Sequence, residues 1–370
     1  MIWQSTLDNK ARLRRNAGLD RTLRVRAADD PLIDLAGNDY LGLARHPTVT
    51  AAAAEALAEY GLGAGGSRLV RGTTDAHVAL ENRLGELLGG AALVYSSGYL
   101  ANLGAIRALC DASTMLVRDA HAHASLIDGC QLAGARLVTM PHNDIDALDR
   151  ILAGHNRRSV VVVESVYSVD GDLAPLAELH RVCRAHGAIL LVDEAHAVGV
   201  LGPGGAGASA ASGLKAASDL VITATLSKAL GSAGGVVAGP AELRRHLVDT
   251  GRTFIFDTAP PPAVAAGALA ALELAAADDE LRAEVSRRAS AAAERLGVAA
   301  PAAGVVSVPA SDPHAALEWA RRCAEAGVAV GCFRPPSTPD GSSRLRLTVN
   351  AGIPVADFNN AIDVIERERP

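Results

Sequence analysis

Residues 188–196 read AILLVDEAH and residues 220–228 read LVITATLSK. Each is an unbroken apolar run, rich in β-branched residues, that ends in polar ones. Such a run reads as a strand covered on both faces, as in a parallel sheet enclosed by helices. The polar groups that follow, Asp193, Glu194 and His196 in one case and Ser227 and Lys228 in the other, then stand at the carboxyl ends of two strands. In open α/β sheets, ligands bind beyond those ends.

Similar short runs occur at 92–95, 115–117, 136–139, 160–163 and 236–238. Helix-like stretches lie between them, such as 173–186, where Leu176, Leu179 and Val182 recur at helical spacing. Strand and helix alternate, so the chain reads as α/β with a mostly parallel sheet. The run Thr258 to Pro262 (TAPPP) cannot continue a helix. An Ala-rich helical stretch follows it to about Gly297. Beyond Gly304 come short strands (304–308, 328–332, 344–349) and helices (314–326, 355–368), the pattern of a small α+β lobe. The expected organisation is a helical N-terminal arm over 1–38, a large α/β domain over 39–275 and a small C-terminal α+β domain over 276–370. There is no internal repeat.

Hydrophobic residues make up 49 % of the 370, enough for a packed core and against a disordered chain. The net charge is -6, with both signs scattered and no basic stripe, so nucleic acid is not an expected partner. Five cysteines form no CxxC pair, which argues against a disulfide framework and a structural zinc site. Residues 1–10 lack the apolar core of a signal peptide. The least polar run, 263–277, contains Glu273 and is too short to span a bilayer. A cytoplasmic protein without a membrane partner is expected.

Three motifs are set aside. Gly61, Gly63 and Gly66 fit GxGxxG but follow a helix-like run, whereas a dinucleotide loop follows a strand. Asp193 to His196 resembles a helicase box, but no Gly-Lys pair exists to make a phosphate loop. Asp119, His121 and His123 have no helical partner of the zinc-protease type, so no metal is expected.

An acid and a lysine at neighbouring strand ends suit one cofactor in particular. Pyridoxal phosphate (PLP) needs a lysine amine to carry it and a carboxylate to pair with its pyridine nitrogen. Lys228 and Asp193 are the candidates. The small residues Ala229 to Gly235 after Lys228 let a flat ring approach the backbone. Ser96-Ser97-Gly98-Tyr99 follows a strand and opens a helix, where backbone amides can cradle a phosphate.

With these residues in place, the chain resembles the α-oxoamine synthases, which are fold-type I PLP enzymes. The likeness runs from about Leu19 to the C-terminus. It is carried in order by Asn38 to Leu43, Gly66 to Gly72, Ser97 to Asn102, His123-Ala124-Ser125, Ser168 to Asp172, Val192 to His196, Thr225 to Lys228 and Arg344 to Thr348. The resemblance implies a fold-type I transferase that works as a homodimer. It implies catalytic roles for Lys228, Asp193, His196 and His123. Asp193 would pair with the pyridine nitrogen, His196 would bond the ring's phenolic oxygen, and His123 would stack on the ring and also meet substrate. Gly98, Tyr99, Thr225 and Ser227 would serve the phosphate region, with Ser168 beside the ring. Arg346 would clamp the amino acid's carboxylate with its bidentate fork, and Arg21 and Thr348 would contact substrate or its acyl chain. Within the family the likeness is strongest to the branch that condenses L-alanine with pimeloyl-CoA, or a pimeloyl-carrier protein, in biotin synthesis. Sister activities that use glycine, and a non-catalytic PLP-binding regulator, are the alternatives. In one place the chain departs from the family: Asp257-Thr258 stands where two hydroxyl residues are common, one of them reaching the neighbouring subunit's phosphate.

Overall fold

A computed structural model of the chain describes residues 2–370. Helix α1 (Ile2–Asn16) is followed by an irregular stretch and then β1 (Ile33–Leu35). Helices α2 (Pro47–Tyr60) and α3 (Asp75–Leu88) lead to β2 (Ala91–Tyr95), α4 (Gly98–Leu109), β3 (Met115–Asp119), α5 (Ala124–Leu132) and β4 (Arg136–Met140). Next come α6 (Ile145–Ala153), β5 (Ser159–Glu164), α7 (Leu176–Ala185), β6 (Ile189–Asp193), α8 (Ala208–Ala211), β7 (Leu220–Thr225) and β8 (Gly235–Gly239). Then follow α9 (Ala241–Thr250), α10 (Arg252–Ile255), α11 (Pro262–Ala277) and α12 (Asp279–Leu296). The chain ends with β9 (Val305–Ala310), α13 (Pro313–Glu325), β10 (Val328–Phe333), β11 (Ser343–Thr348) and α14 (Val355–Arg367).

Seven strands form one sheet in the order β2-β8-β7-β6-β5-β3-β4. β7, β6, β5, β3 and β4 are parallel, while β8 runs against its neighbours β7 and β2. From β3 the chain moves outward to β4 and then returns to place β5 on the other side, so the order reverses beside β3. That reversal is where open α/β sheets leave a crevice at their carboxyl edge. Every residue of β5 and of β7 is buried. Val161 and Val163 point into one core, while Val160 and Val162 join a second core with Leu191, Val221 and helix α4 on the opposite face. This two-sided burial is why the strands read as continuous apolar runs.

The other sheet has the order β1-β10-β11-β9. β1 pairs in parallel with β10, and β11 runs antiparallel to β10 and β9. Only residues 2–16 of the segment expected as a helical arm are α-helical, and 33–35 form a strand of the C-terminal sheet instead. Pro31 cannot continue a helix, the Asp30 carboxylate takes the Leu32 amide, and the buried Leu35 side chain then belongs to the same core as Val328 and Val330. The Ala-rich stretch after Pro262 is two helices. Asp278 divides them and caps the second by accepting from the Leu281 amide. Among the described residues no helix is long and apolar enough to cross a membrane.

Candidate active site

Four strand ends supply the site. β6 ends at Asp193, β5 at Glu164 and β7 at Thr225, and the turn after β2 opens helix α4 at Gly98. Glu164 and Asp193 are register partners across β5 and β6. The turn after β7 brings the partly buried Lys228 over the same edge, its Nζ 2.7 Å from His196 Nε2.

His196 is buried, and its Nδ1 lies 2.5 Å from the hydroxyl of the fully buried Tyr40. Burial keeps that phenol protonated well above its ordinary range, against the pull of Arg346. The other acceptor for the phenol, Asn38 Oδ1, is 3.5 Å away. The phenol and Nδ1 therefore form one short hydrogen bond, and Nε2 faces the Lys228 amine. Burial, then the Lys228 charge, holds the His196 pKa well below the usual value, so the ring is neutral.

Asp193 is buried and braced. Asn102 on α4 donates to its Oδ2 at 2.8 Å and the Ala195 amide to its Oδ1 at 2.9 Å. The Asn102 amide also reaches Ser125 Oγ at 2.8 Å, and Ser125 in turn meets His123 Nδ1 at 2.7 Å. His123 caps α5 by accepting from the Ser125 amide, and its ring is left exposed toward the crevice. Burial lowers the Lys228 pKa to about 8, against the pull of Asp193 and Glu164. Burial, with the neighbouring Asp193 charge, pushes the Glu164 carboxyl up to about 8.

The first-turn amides of α4, at Gly98 and Tyr99, have no partner within the helix. A side chain at Gly98 would place its Cβ 3.0 Å from Thr225 Cβ, so Thr225 lies against this helix start. Thr225 Oγ1 and Ser227 Oγ are 2.7 Å apart. The Tyr99 hydroxyl turns to Asp128 on α5. Asp257 accepts from the Ser96 hydroxyl, while Thr258 is exposed and its backbone bridges to Ser67.

On the opposite wall Arg346, from β11, donates to the Ser168 carbonyl at 2.9 Å and to Asn38 Oδ1 at 2.6 Å, and its guanidinium lies 4.6 Å from the centre of the Phe333 ring. The Ser168 amide donates to Glu164 Oε2 at 3.1 Å. Thr348 is on the same face of β11, two residues on, with its buried hydroxyl unpaired. Lys228, Asp193, His196, His123, Ser168, Thr225, Ser227, Gly98 and Arg346 thus share one crevice. Arg21 stands apart: it is exposed and donates to Ser337 Oγ at 2.8 Å, in a separate cavity of about 490 Å³ beside Arg24 and Arg334.

Three residues of this crevice were given no role from sequence, although Tyr40 and Asn102 fall within stretches that carry the resemblance. Glu164 ends a buried strand just as Asp193 does, so the strand-end rule could have found it. Tyr40 and Asn102 act through His196 and Asp193, and nothing in local spacing marks such a role.

These residues fit PLP on chemical grounds: an amine close to neutrality, a fixed carboxylate, an open imidazole face and a helix start where Gly98 leaves no room for a side chain. A family model described as aminotransferase class I and II matches residues 30–365. A curated relative from Mycolicibacterium smegmatis named 8-amino-7-oxononanoate synthase is 51 % identical over 95 % of this chain and 92 % of its own. A solved structure of serine palmitoyltransferase from S. paucimobilis, with PLP–myriocin bound, superposes with a TM-score of 0.90 at 30 % identity, over 98 % of this chain and 96 % of that one. A crystal structure of 8-amino-7-oxononanoate synthase from Francisella tularensis has a TM-score of 0.78 at 26 % identity, over 92 % and 98 % of the two chains.

Proposed function

The chain belongs to the aminotransferase class I and II family and, within it, to the relatives named 8-amino-7-oxononanoate synthase, and from that premise we propose how its crevice works. The protein is a PLP-dependent acyltransferase of biotin biosynthesis. It condenses L-alanine with pimeloyl-CoA, or a pimeloyl-carrier protein, and releases 8-amino-7-oxononanoate, CoA and CO2. The observation that carries the reading is the placing of Lys228, in contact with His196, and a braced Asp193 beyond two adjacent strand ends.

Bound here, PLP supplies an electron sink for a carbanion at the amino acid's Cα. Lys228 would carry it, Asp193 would pair with its ring nitrogen, and His196 would donate from Nε2 to its phenolic oxygen. His123 would cover the ring face and Ser168 would lie beside it. The amides of Gly98 and Tyr99, with the hydroxyls of Thr225 and Ser227, would hold the phosphate. Arg346 would take the carboxylate of L-alanine in its fork, with Thr348 beside the acyl chain.

The Lys228 amine, with a pKa of about 8, is neutral often enough near physiological pH to remove the Cα proton. That carbon would then form a C–C bond to the thioester carbonyl as the C–S bond breaks, and CoA would leave as the thiolate and take its proton from solvent. The carboxylate held by Arg346 then leaves as CO2, and Lys228 returns a proton to the same carbon.

Homodimerisation and a cytoplasmic location belong to this reading. The location is supported by five free cysteines, four of them buried.

The test is release of free thiol by the PLP-loaded protein, with L-alanine plus pimeloyl-CoA compared against glycine plus acetyl-CoA or succinyl-CoA. Release with the alanine and pimeloyl pair alone is expected. Release with glycine alone would move the chain to a sister activity, and no release from any pair would remove the acyl-transfer reading.

A further inference from the structure

The loop 168–172 (SVDGD) joins the two sheets. On the small-sheet side it has three attachments. Arg346 donates to the Ser168 carbonyl at 2.9 Å, Arg344 pairs with Asp170, and the Ala302 amide donates to the Gly171 carbonyl at 2.9 Å. Gly171 has φ +78, and a Cβ there would sit 2.4 Å from the Val305 carbonyl oxygen. The loop is therefore pressed against the start of β9, at a position that only glycine tolerates.

On the large-sheet side the same loop is held by two histidines from the ends of β3 and β4. His121 Nδ1 meets Asp170 Oδ2 at 2.9 Å. His142 bridges Asp119 at 2.8 Å and Asp172 at 2.9 Å with its two ring nitrogens. The two imidazoles stack with centroids 3.9 Å apart and planes 9° from parallel, and Tyr167 meets the His142 ring edge-on at 4.4 Å. Asn143 adds a bond to Asp172 Oδ2 at 3.0 Å and one from its backbone amide to Asp119 at 2.9 Å. Burial opposes charge on His142, but its two carboxylate partners outweigh it and hold the ring protonated up to about pH 10. None of these groups touches Lys228, Asp193 or His196, and the reaction assigns them no step.

We infer that His121 and His142 are positioning residues that fix loop 168–172 and, through the Ser168 carbonyl and the Asp170–Arg344 pair, set Arg346 at its distance from Lys228. This rests on the reading of Arg346 as the carboxylate clamp. The two reacting walls come from different sheets, so a device must register one on the other. Arg346 has a fixed bond on the loop, and beside the Ser168 amide's bond to Glu164 it is this pair of histidines, with Asn143, that holds the loop's acids on the large sheet. Loosening the joint displaces the fork that grips the amino acid while leaving the strand ends that hold Lys228 and Asp193 in place. The cost then falls on amino-acid binding.

The test uses the PLP-loaded protein and three substitutions: His142→Gln, Asp172→Asn, and Asp219→Asn as a control. Asp219 makes a comparable pair with His180 and Arg184 on the far side of the sheet. L-alanine binding is read from the change in the cofactor's absorption. KM is measured separately for L-alanine and for pimeloyl-CoA. The expected result for His142→Gln and Asp172→Asn is a rise of about tenfold in both the dissociation constant and the KM for L-alanine. The KM for pimeloyl-CoA and the affinity for PLP stay at wild-type values, and Asp219→Asn changes neither substrate's KM. Should His142→Gln not fold, Arg344→Lys, which cannot fork between Asp170 and Asp340, carries the same expectation. Wild-type alanine affinity in the joint variants overturns this inference alone, as does an equal loss in the control. A wild type that gives no spectral response to L-alanine overturns the inference together with the function it rests on.

Discussion

Lys228 illustrates how little of a site a single residue explains. Its amine becomes useful because burial lowers its pKa to about 8, against the opposing pull of Asp193 and Glu164. The rate at which the cofactor-free protein takes up PLP should therefore rise with pH to a midpoint near 8, followed by absorbance in the visible range. A midpoint near the ordinary 10.5 of a lysine would contradict this picture of the site. Asp193 keeps its place through Asn102 and the Ala195 amide, so its charge is aimed before any ligand arrives. Asp193→Asn keeps the shape and removes the charge. It should slow exchange of the alanine α-proton in D2O by about a hundredfold or more, measured by NMR, and unchanged exchange would count against the pairing with the ring nitrogen.

At the level of elements, the sequence signalled whatever depends on local pattern. The buried strands β5, β6 and β7 stood out because covering a sheet on both faces demands continuous apolar residues, and Lys228 and Asp193 could be placed because they follow such runs directly. Tyr40 and the joint at loop 168–172 could not be placed in the same way. Tyr40 reaches His196 across 156 positions, and His142 meets Asp172 across 30. Long-range contacts of that kind leave no periodicity. The β1 strand was hidden because a three-residue run gains its conformation from pairing with β10, not from its own propensity.

The joint itself makes two predictions about stability. Gly171→Ala would force a Cβ into a left-handed turn and against the Val305 carbonyl. It should cost on the order of 1–3 kcal/mol in urea unfolding, and a neutral result would mean that the loop is not pressed on β9. His142 has a folded pKa of about 10, above its ordinary 6.5. Its contribution is therefore complete below about pH 6.5 and is lost as the pH rises through about 10. The gap in unfolding midpoint between wild type and His142→Gln should be wide at about pH 6 and should close at about pH 10. A gap that does not change with pH would contradict a charged His142 held between Asp119 and Asp172.

On the scale of the whole molecule, the crevice exists because two sheets with separate strand orders face each other across loop 168–172 and the Tyr40 turn. The Tyr40 carbonyl accepts from the Ala351 amide at 2.8 Å, which ties the turn carrying the His196 partner to the small sheet. One sheet supplies the lysine, the carboxylate and the helix start, and the other supplies the arginine fork. The chain offers only three lysines, Lys10, Lys215 and Lys228. Lys10 lies on α1, which buries none of its residues, and Lys215 is exposed in the loop before β7. The most direct measurement follows from that economy: load the protein with PLP, reduce with borohydride, and map the retained pyridoxyl mass by peptide mass spectrometry. The account predicts the added mass on Lys228, with Lys10 and Lys215 unmodified, and no retained mass in Lys228→Ala. Label on Lys10 or Lys215, or label that survives Lys228→Ala, would contradict it.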